Sequence, residues 1–501
     1  MSKKTYLFAI IGLFFIQMIS AQFPQDGTYQ HILPPNTPAM PDYGQTVIDN
    51  SVPTPIEITR ITEVQNYTDP NGDPQVWYPM HEYSKTQVWN ADQTRYKVAS
   101  WKVYNASTYV EERVLSSVYP SYWSNTDPDI IWSFRVDGTI KKYNVSTDVT
   151  QVVATIPGYE FVKLGPGEGN IDKNDHYVAL VGKKANLDLD VIVFDLQTNQ
   201  ITQTLTFTNG WGNGTYYAPQ FIDWVSVSQS GDYVVVLWSN PYNITNNWYT
   251  DQNNMQHYGV EVYDRATMQF QNRIIDDGGH GDLGYAVDGD EVYVQFAVGE
   301  SGVYMQKLNG TGNTQIVTEP DYDFFATGHV SCRNINRPGW AYVTQTKANS
   351  TGQIIAVKLD DTNTVEHFGH HFSSDNSYDK APMAVASPNG DKVCFKSDFG
   401  TAPNNNDVAY DFIASIDNTA TVNEEQLNTL NIYPNPTKDV ITIQGKANTL
   451  YTIYDYTGKL IFSKKANTVN TTIDLSELNL GVYLMKATLN NNTSFSKIIK
   501  R

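Results

Sequence analysis

The stretch GHVSCRNINRPGW, Gly328–Trp340, holds a histidine, one of the chain's two cysteines, two arginines and a Pro-Gly pair. Imidazole, thiol and guanidinium are the groups that ligate metals, move protons and grip anions. His280, His370 and His371 lie on either side of it, and the earlier run VWYPMHEYSKTQVWN (76–90) adds His81, Tyr83 and several aromatic rings. A metal needs donors brought to about 2 Å of one point, and His280, His329 and His371 are the expected ligands. Arg333 offers a planar donor fork suited to carboxylates and sulfates. His81 and Tyr83 are the expected proton-transfer groups.

These groups act together only if the fold converges them. Seven segments share one plan, an extended stretch, a turn rich in Asp, Asn, Gly or Pro, then an apolar strand. They are 90–104, 128–143, 169–184, 223–238, 281–296, 329–344 and 381–397. Repeated sheet units at this spacing, from about residue 81 to 415, predict an all-β, seven-bladed β-propeller. The first strand of each blade then lines a central channel and starts at one mouth. His280 lies nine residues before Gly289, and His329 ten before Gly339. Their equivalent positions in adjacent blades predict neighbouring imidazoles, with Asp282 or water completing a metal shell. If 329–333 is extended, His329, Ser331 and Arg333 share the channel face. Cys332 then faces away, to be buried or paired with Cys394. Each residue also has a structural reading. The histidines then bond backbone around the channel, Arg333 pairs an acid, the 76–90 aromatics pack at the ring closure, and Pro338-Gly339 makes a turn.

The chain has 501 residues, 33 of them tyrosine, which favours sheet. Residues 1–21, with Lys3, Lys4, an apolar run and Ala21, read as a secretory signal peptide. No other apolar run is long enough for a transmembrane span. The net charge is −19, and from residue 431 onward nine basic residues face four acidic ones, leaving −24 on the body. An acidic body argues against nucleic acid and anionic membranes as partners. Residues 22–80 read as an N-terminal extension and 416–430 as a linker.

From 431 to 501 alternating runs such as VITIQ and VYLMKATL are cut by PNP, TGK and LGV turns, predicting a small β-sandwich. IYPNPTKD (432–439), YDYTGKLI (454–461), DLSELNLGVYLMK (474–486) and the basic end KIIKR resemble the C-terminal sorting domain of type IX secretion. That resemblance implies the type IX machinery as a partner and a secreted or surface-attached protein.

The blade pattern, clearest in APMAVASPNGDKVCFKSDFG (381–400), is similar to TolB-like propellers and to propeller polysaccharide lyases, the oligogalacturonate and ulvan lyases. The similarity implies a carbohydrate-active protein, with an acidic polysaccharide or cell-surface glycan as partner and a divalent metal as cofactor; the chain is expected to be a monomer. Its reaction would be β-elimination on a uronate polymer, with His81 or Tyr83 as base and Arg333 or the metal neutralising the carboxylate. The alternative is a non-catalytic propeller that binds glycans or proteins.

Overall fold

The computed structural model describes residues 32–416 and 431–501, apart from 35, 69–71, 100, 166–167, 216–217, 239–247, 277, 297–301, 318–327, 346–351, 375–376, 402–407, 456–458 and 490–491. The expected signal peptide and all but residue 416 of the expected linker lie outside the described residues. Two compact units divide at Ile416/Asp417.

The first unit is built from Val-, Ile- and Tyr-rich strands whose middle members are apolar on both faces. YVVVLW (Tyr233–Trp238) and LDVIVFD (Leu189–Asp195) are buried almost throughout. Such strands need cover on both sides, and stacked sheets supply it. Seven antiparallel sheets follow in order, each starting with the strand nearest the axis. The first blade starts at Trp89, bridged to Tyr96. The next five start at Tyr122–Trp123, Phe161–Leu164, Ile222–Val227, Asp282–Tyr285 and Gly328–Ser331. The seventh starts at Val385–Ala386. Every neighbouring pair shares an apolar cluster, and Trp89, Tyr96, Val385, Cys394 and Ile413 join the seventh blade to the first. The ring is closed, and the unit is a β-propeller.

The seventh blade combines both ends of the unit. Ile56–Arg60 pairs with Tyr410–Ile416, and Thr46–Asp49 adds a fifth strand. Residues 46–60, expected to belong to an extension, are therefore part of the ring. The segment 128–143 is also displaced from its expected role. It forms the second and third strands of its blade, because the inner strand is the two-residue Tyr122–Trp123. The Pro338-Gly339 turn does join the first two strands of the sixth blade, with Gly339 at φ +83°.

Cys332 and Cys394 are both buried and free, one in the cluster between blades five and six, the other between seven and one. The expected alternative of a disulfide is not formed.

The second unit is a sandwich of a three-stranded and a four-stranded sheet. In Val440–Gln444 Ile441 and Ile443 point inward, meeting Tyr451, Ile453, Ile473 and Met485.

The closing strands are tied to the sixth blade through Asp49. Its carboxylate accepts bonds from the His370 backbone N–H (2.9 Å), from His370 Nδ1 (2.8 Å) and from Ser51. Burial opposes ionisation, yet the His370 and Ser51 bonds outweigh it and hold the Asp49 pKa at about 2. This lies below the unfolded value near 4. Its stabilisation is therefore complete above about pH 4 and is lost as pH falls toward 2. Asp49→Asn is expected to lower stability by about 2 kcal/mol at pH 7. The gap from the natural protein should close in denaturant titrations carried down toward pH 2; an unchanged gap there counts against this role.

Candidate functional site

His280 and His329, starting adjacent inner strands, are stacked with ring centroids 4.9 Å apart and planes 13° from parallel. A short turn raises His280 to an exposed position. Tyr293 Oη donates to Gly279 O at 2.6 Å, and the Gly279 N–H donates to Gln295 Oε1 at 2.7 Å. A Cβ at Gly281 would lie 2.4 Å from Tyr293 Cζ, so only glycine allows this approach.

His329 is buried, and its Nδ1 has no hydrogen-bond partner. Burial, then the influence of neighbouring His280, Lys396 and Lys85, pushes its pKa down to about 3. It is a neutral imidazole at physiological pH. The Tyr83 ring meets it edge to face at 5.3 Å.

Lys85 lies beside them, with Nζ 2.5 Å from Glu168 Oε2 and 4.5 Å from the Trp224 ring centroid. Glu168 comes from a loop pressed onto the fourth blade. Gly165, at φ +46°, would put a Cβ 2.1 Å from Val225 O, and Asn170 N donates to Ser226 Oγ at 3.0 Å. Asp223 belongs to that fourth inner strand, where the register slips between Ile222 and Trp224. The slip leaves it exposed among buried neighbours. Asp223 is exposed by area but recessed among protein groups. Burial and then Glu168 raise its pKa, against Lys85 and His280. Lys396 of the seventh blade is buried, its pKa lowered by burial, and bonds Met383 Sδ at 3.3 Å.

Other expected site residues carry structural duties. His81 Nδ1 faces Asp411 Oδ1 at 2.7 Å and Nε2 faces Met383 O at 2.9 Å. Both nitrogens are engaged by acceptors inside the protein, so His81 is held in place by these contacts. Arg333 makes a fork to Asp282, Nε to Oδ2 at 3.0 Å and Nη2 to Oδ1 at 2.9 Å, both residues buried. Its charge is spent there, and Asp282, which also accepts from Cys332 N–H, is not a free ligand. His371 accepts from Ser373 N–H and donates to Gln345 O, each at 3.0 Å. It offers no lone pair to a metal beside His280 and His329. Burial and Glu168 raise the Tyr83 pKa far above the ordinary phenol value, so Tyr83 fits a proton donor and not a base.

Among the described residues, His81, Cys394 and Asp411 place ligand atoms within 4.8 Å of one another. Burial holds the Cys394 thiol protonated, and His81 and Asp411 satisfy each other, so this trio suits a hydrogen-bonded strut better than a metal. Of the expected residues the fold brings His280, His329 and Tyr83 together, and Asp223, Glu168, Lys396 and Lys85 beside them were not among those expected.

Residues 431–501 match the family described as the secretion system C-terminal sorting domain. This tail is a type IX sorting domain, which directs the chain to the cell surface or beyond. No helix among the described residues is long and apolar enough to cross a membrane. No curated protein matches the chain. Among solved structures, an oligogalacturonate lyase from Vibrio parahaemolyticus is 12% identical with TM-score 0.50, covering 75% of this chain and 97% of its own. An oligogalacturonate lyase in complex with manganese is 11% identical with TM-score 0.51, covering 80% and 99%. At such identity the likeness is one of fold.

The burial of His329 has a direct readout. Its imidazole should show no titration between pH 5 and pH 8 in long-range ¹H–¹⁵N spectra, with the resonance assigned by His329→Gln. A midpoint inside that window would mean that the ring is hydrated rather than enclosed.

Proposed function

We propose that the channel mouth binds and cleaves a uronate-containing polysaccharide by β-elimination, outside the cell that exports it. One observation carries this reading. His280 and His329 stack beside the Tyr83 ring, Lys85 pairs with Glu168 next to them, and Asp223 of the fourth blade lies within electrostatic reach of Lys85, His280 and Tyr83.

In this scheme Asp223, a carboxylate made more basic by its surroundings, takes the proton on the carbon next to the uronate carboxylate. The Lys85 ammonium, held over Trp224, exchanges its Glu168 partner for the charge that develops on that carboxylate. Tyr83 keeps its proton until the glycosidic C–O bond breaks and gives it to the leaving oxygen. The ring carbons keep the electron pair as a double bond. Solvent then returns a proton to Tyr83 and removes one from Asp223.

A divalent metal would be held at His280 and His329 once the stacked rings turn so that their in-plane lone pairs converge. The site supplies a neutral imidazole with an unpartnered, buried Nδ1 beside a second, exposed imidazole, a donor type suited to first-row divalent ions. When bound, the metal would add positive charge opposite the substrate carboxylate. The oligogalacturonate lyases that share the fold, one of them complexed with manganese, support this class of substrate and cofactor.

Incubation with polygalacturonate and other uronate polymers should raise ultraviolet absorbance as unsaturated ends accumulate. Asp223→Asn should slow this by about 10²-fold or more, the scale of a lost general base. Tyr83→Phe should lower kcat more than it raises KM, and chelation followed by manganese should lower and then restore the rate. No rise on any uronate polymer, with binding retained, would leave a glycan-binding propeller in place of an enzyme.

A further inference from the structure

The first blade carries a second concavity, away from the channel-mouth groups. A hairpin of Gln65–Thr68 and Pro74–Trp77 leans on it. Lys102 Nζ donates to Gln65 Oε1 at 2.7 Å, and Gln65 Nε2 donates to Tyr104 Oη at 3.1 Å. Trp77 and Trp101 meet edge to face with centroids 5.6 Å apart. Between hairpin and blade opens a cleft of about 840 Å³, lined by Asn66, Trp77, Trp101, Lys102, Ser116 and Tyr119 among others. That volume is typical of ligand sites, on the order of 300–1,000 Å³.

Its lining is unusual for a surface. Trp101 is 39% exposed and Tyr119 57%. Large aromatic surface left in water is unfavourable, by roughly 25 cal/mol for each Å². The backbone also supports the display. Ala99, two residues before Trp101, holds φ +51°, a conformation costly for a residue with a Cβ. The amide of Asn66 and the hydroxyl of Ser116 are exposed at the cleft. Lys102, the one charged residue of the lining among the described residues, is 2.7 Å from Glu111, so its charge is matched. Flat apolar faces at differing angles, polar hydrogen-bonding groups and no unmatched charge among these residues are complementary to pyranose rings with apolar faces and hydroxyl rims.

We infer that this cleft is a second carbohydrate site, holding a neutral stretch of glycan by stacking sugar rings on Trp101 and Tyr119. It is independent of any reaction in the channel. It would keep the propeller on a polysaccharide surface while the channel mouth works, or binds, elsewhere on the chain.

Affinity electrophoresis of the full-length protein through gels containing laminarin, galactomannan, xylan or polygalacturonate tests this. At least one neutral polymer should retard the natural protein and Asp223→Asn alike. Trp101→Ala should weaken that retardation about tenfold in apparent Kd, as loss of one stacking contact does elsewhere. Tyr119→Ala should act in the same direction, and Trp101→Phe should restore most of the binding. Recovery in the Phe variant separates lost stacking from lost folding. The inference fails if no neutral polymer retards the natural protein, or if Trp101→Ala and Tyr119→Ala migrate as it does. It also fails if polygalacturonate alone gives retardation that depends on Trp101.

Discussion

The site rests on a buried ion pair beneath it. Asp282 and Arg333 stand on adjacent inner strands, and the carboxylate binds the guanidinium through two bonds and the Cys332 N–H through a third. Stripping water from both charges is costly, and such a pair persists where its remaining hydrogen bonds are also made. Arg333 Nη2 reaches Leu283 O as well. Two glutamines extend the same stitching. Gln229 donates to Leu283 O and Cys332 O, and Gln87 to Arg333 O and Ala386 O. Four blades and the segment leading into the first are thus tied around the axis. The strands are then fixed in height, so residues at their starts meet at one level. His280, two residues before Asp282, and His329, four before Arg333, stack for this reason.

The histidines divide into two kinds by what surrounds their nitrogens. His81, His370 and His371 have backbone or carboxylate partners on both sides and serve as struts. His81 joins the approach to the first blade to Asp411 of the seventh, and His370 joins the sixth blade to the closing strands. His329 differs in having an unpartnered nitrogen. Residue type alone does not separate these roles, since each histidine lies near the start or end of a strand.

Much of the ring was legible because strand pairs such as Asp282–Tyr285 with Glu291–Phe296 repeat an inner strand, a glycine turn and an apolar second strand. Counting back from those glycines placed His280 beside His329, and strand parity placed Arg333 with His329 and Cys332 between blades. Parity could not say that Arg333 would be consumed by Asp282, because that pairing crosses from one blade to the next. Asp223 was hidden by a register slip, which moves a residue off the alternation that sequence reading relies on. Glu168 was hidden in a loop whose course is set by contact with Val225. The closing strands Thr46–Asp49 and Ile56–Arg60 were read as an extension because their partner lies more than 350 residues later.

That long-range pairing sets an order of events. Ile56–Arg60 is made early in synthesis with Thr46–Asp49 on one side, yet its other edge has no partner until Tyr410–Ile416 follows. Until then an apolar strand edge is open to pairing with another chain. A product cut short before residue 410 would keep that edge permanently and be drawn toward aggregation. The sorting domain comes only after the strand that seals the ring, so a chain long enough to carry the export address already contains everything needed for closure.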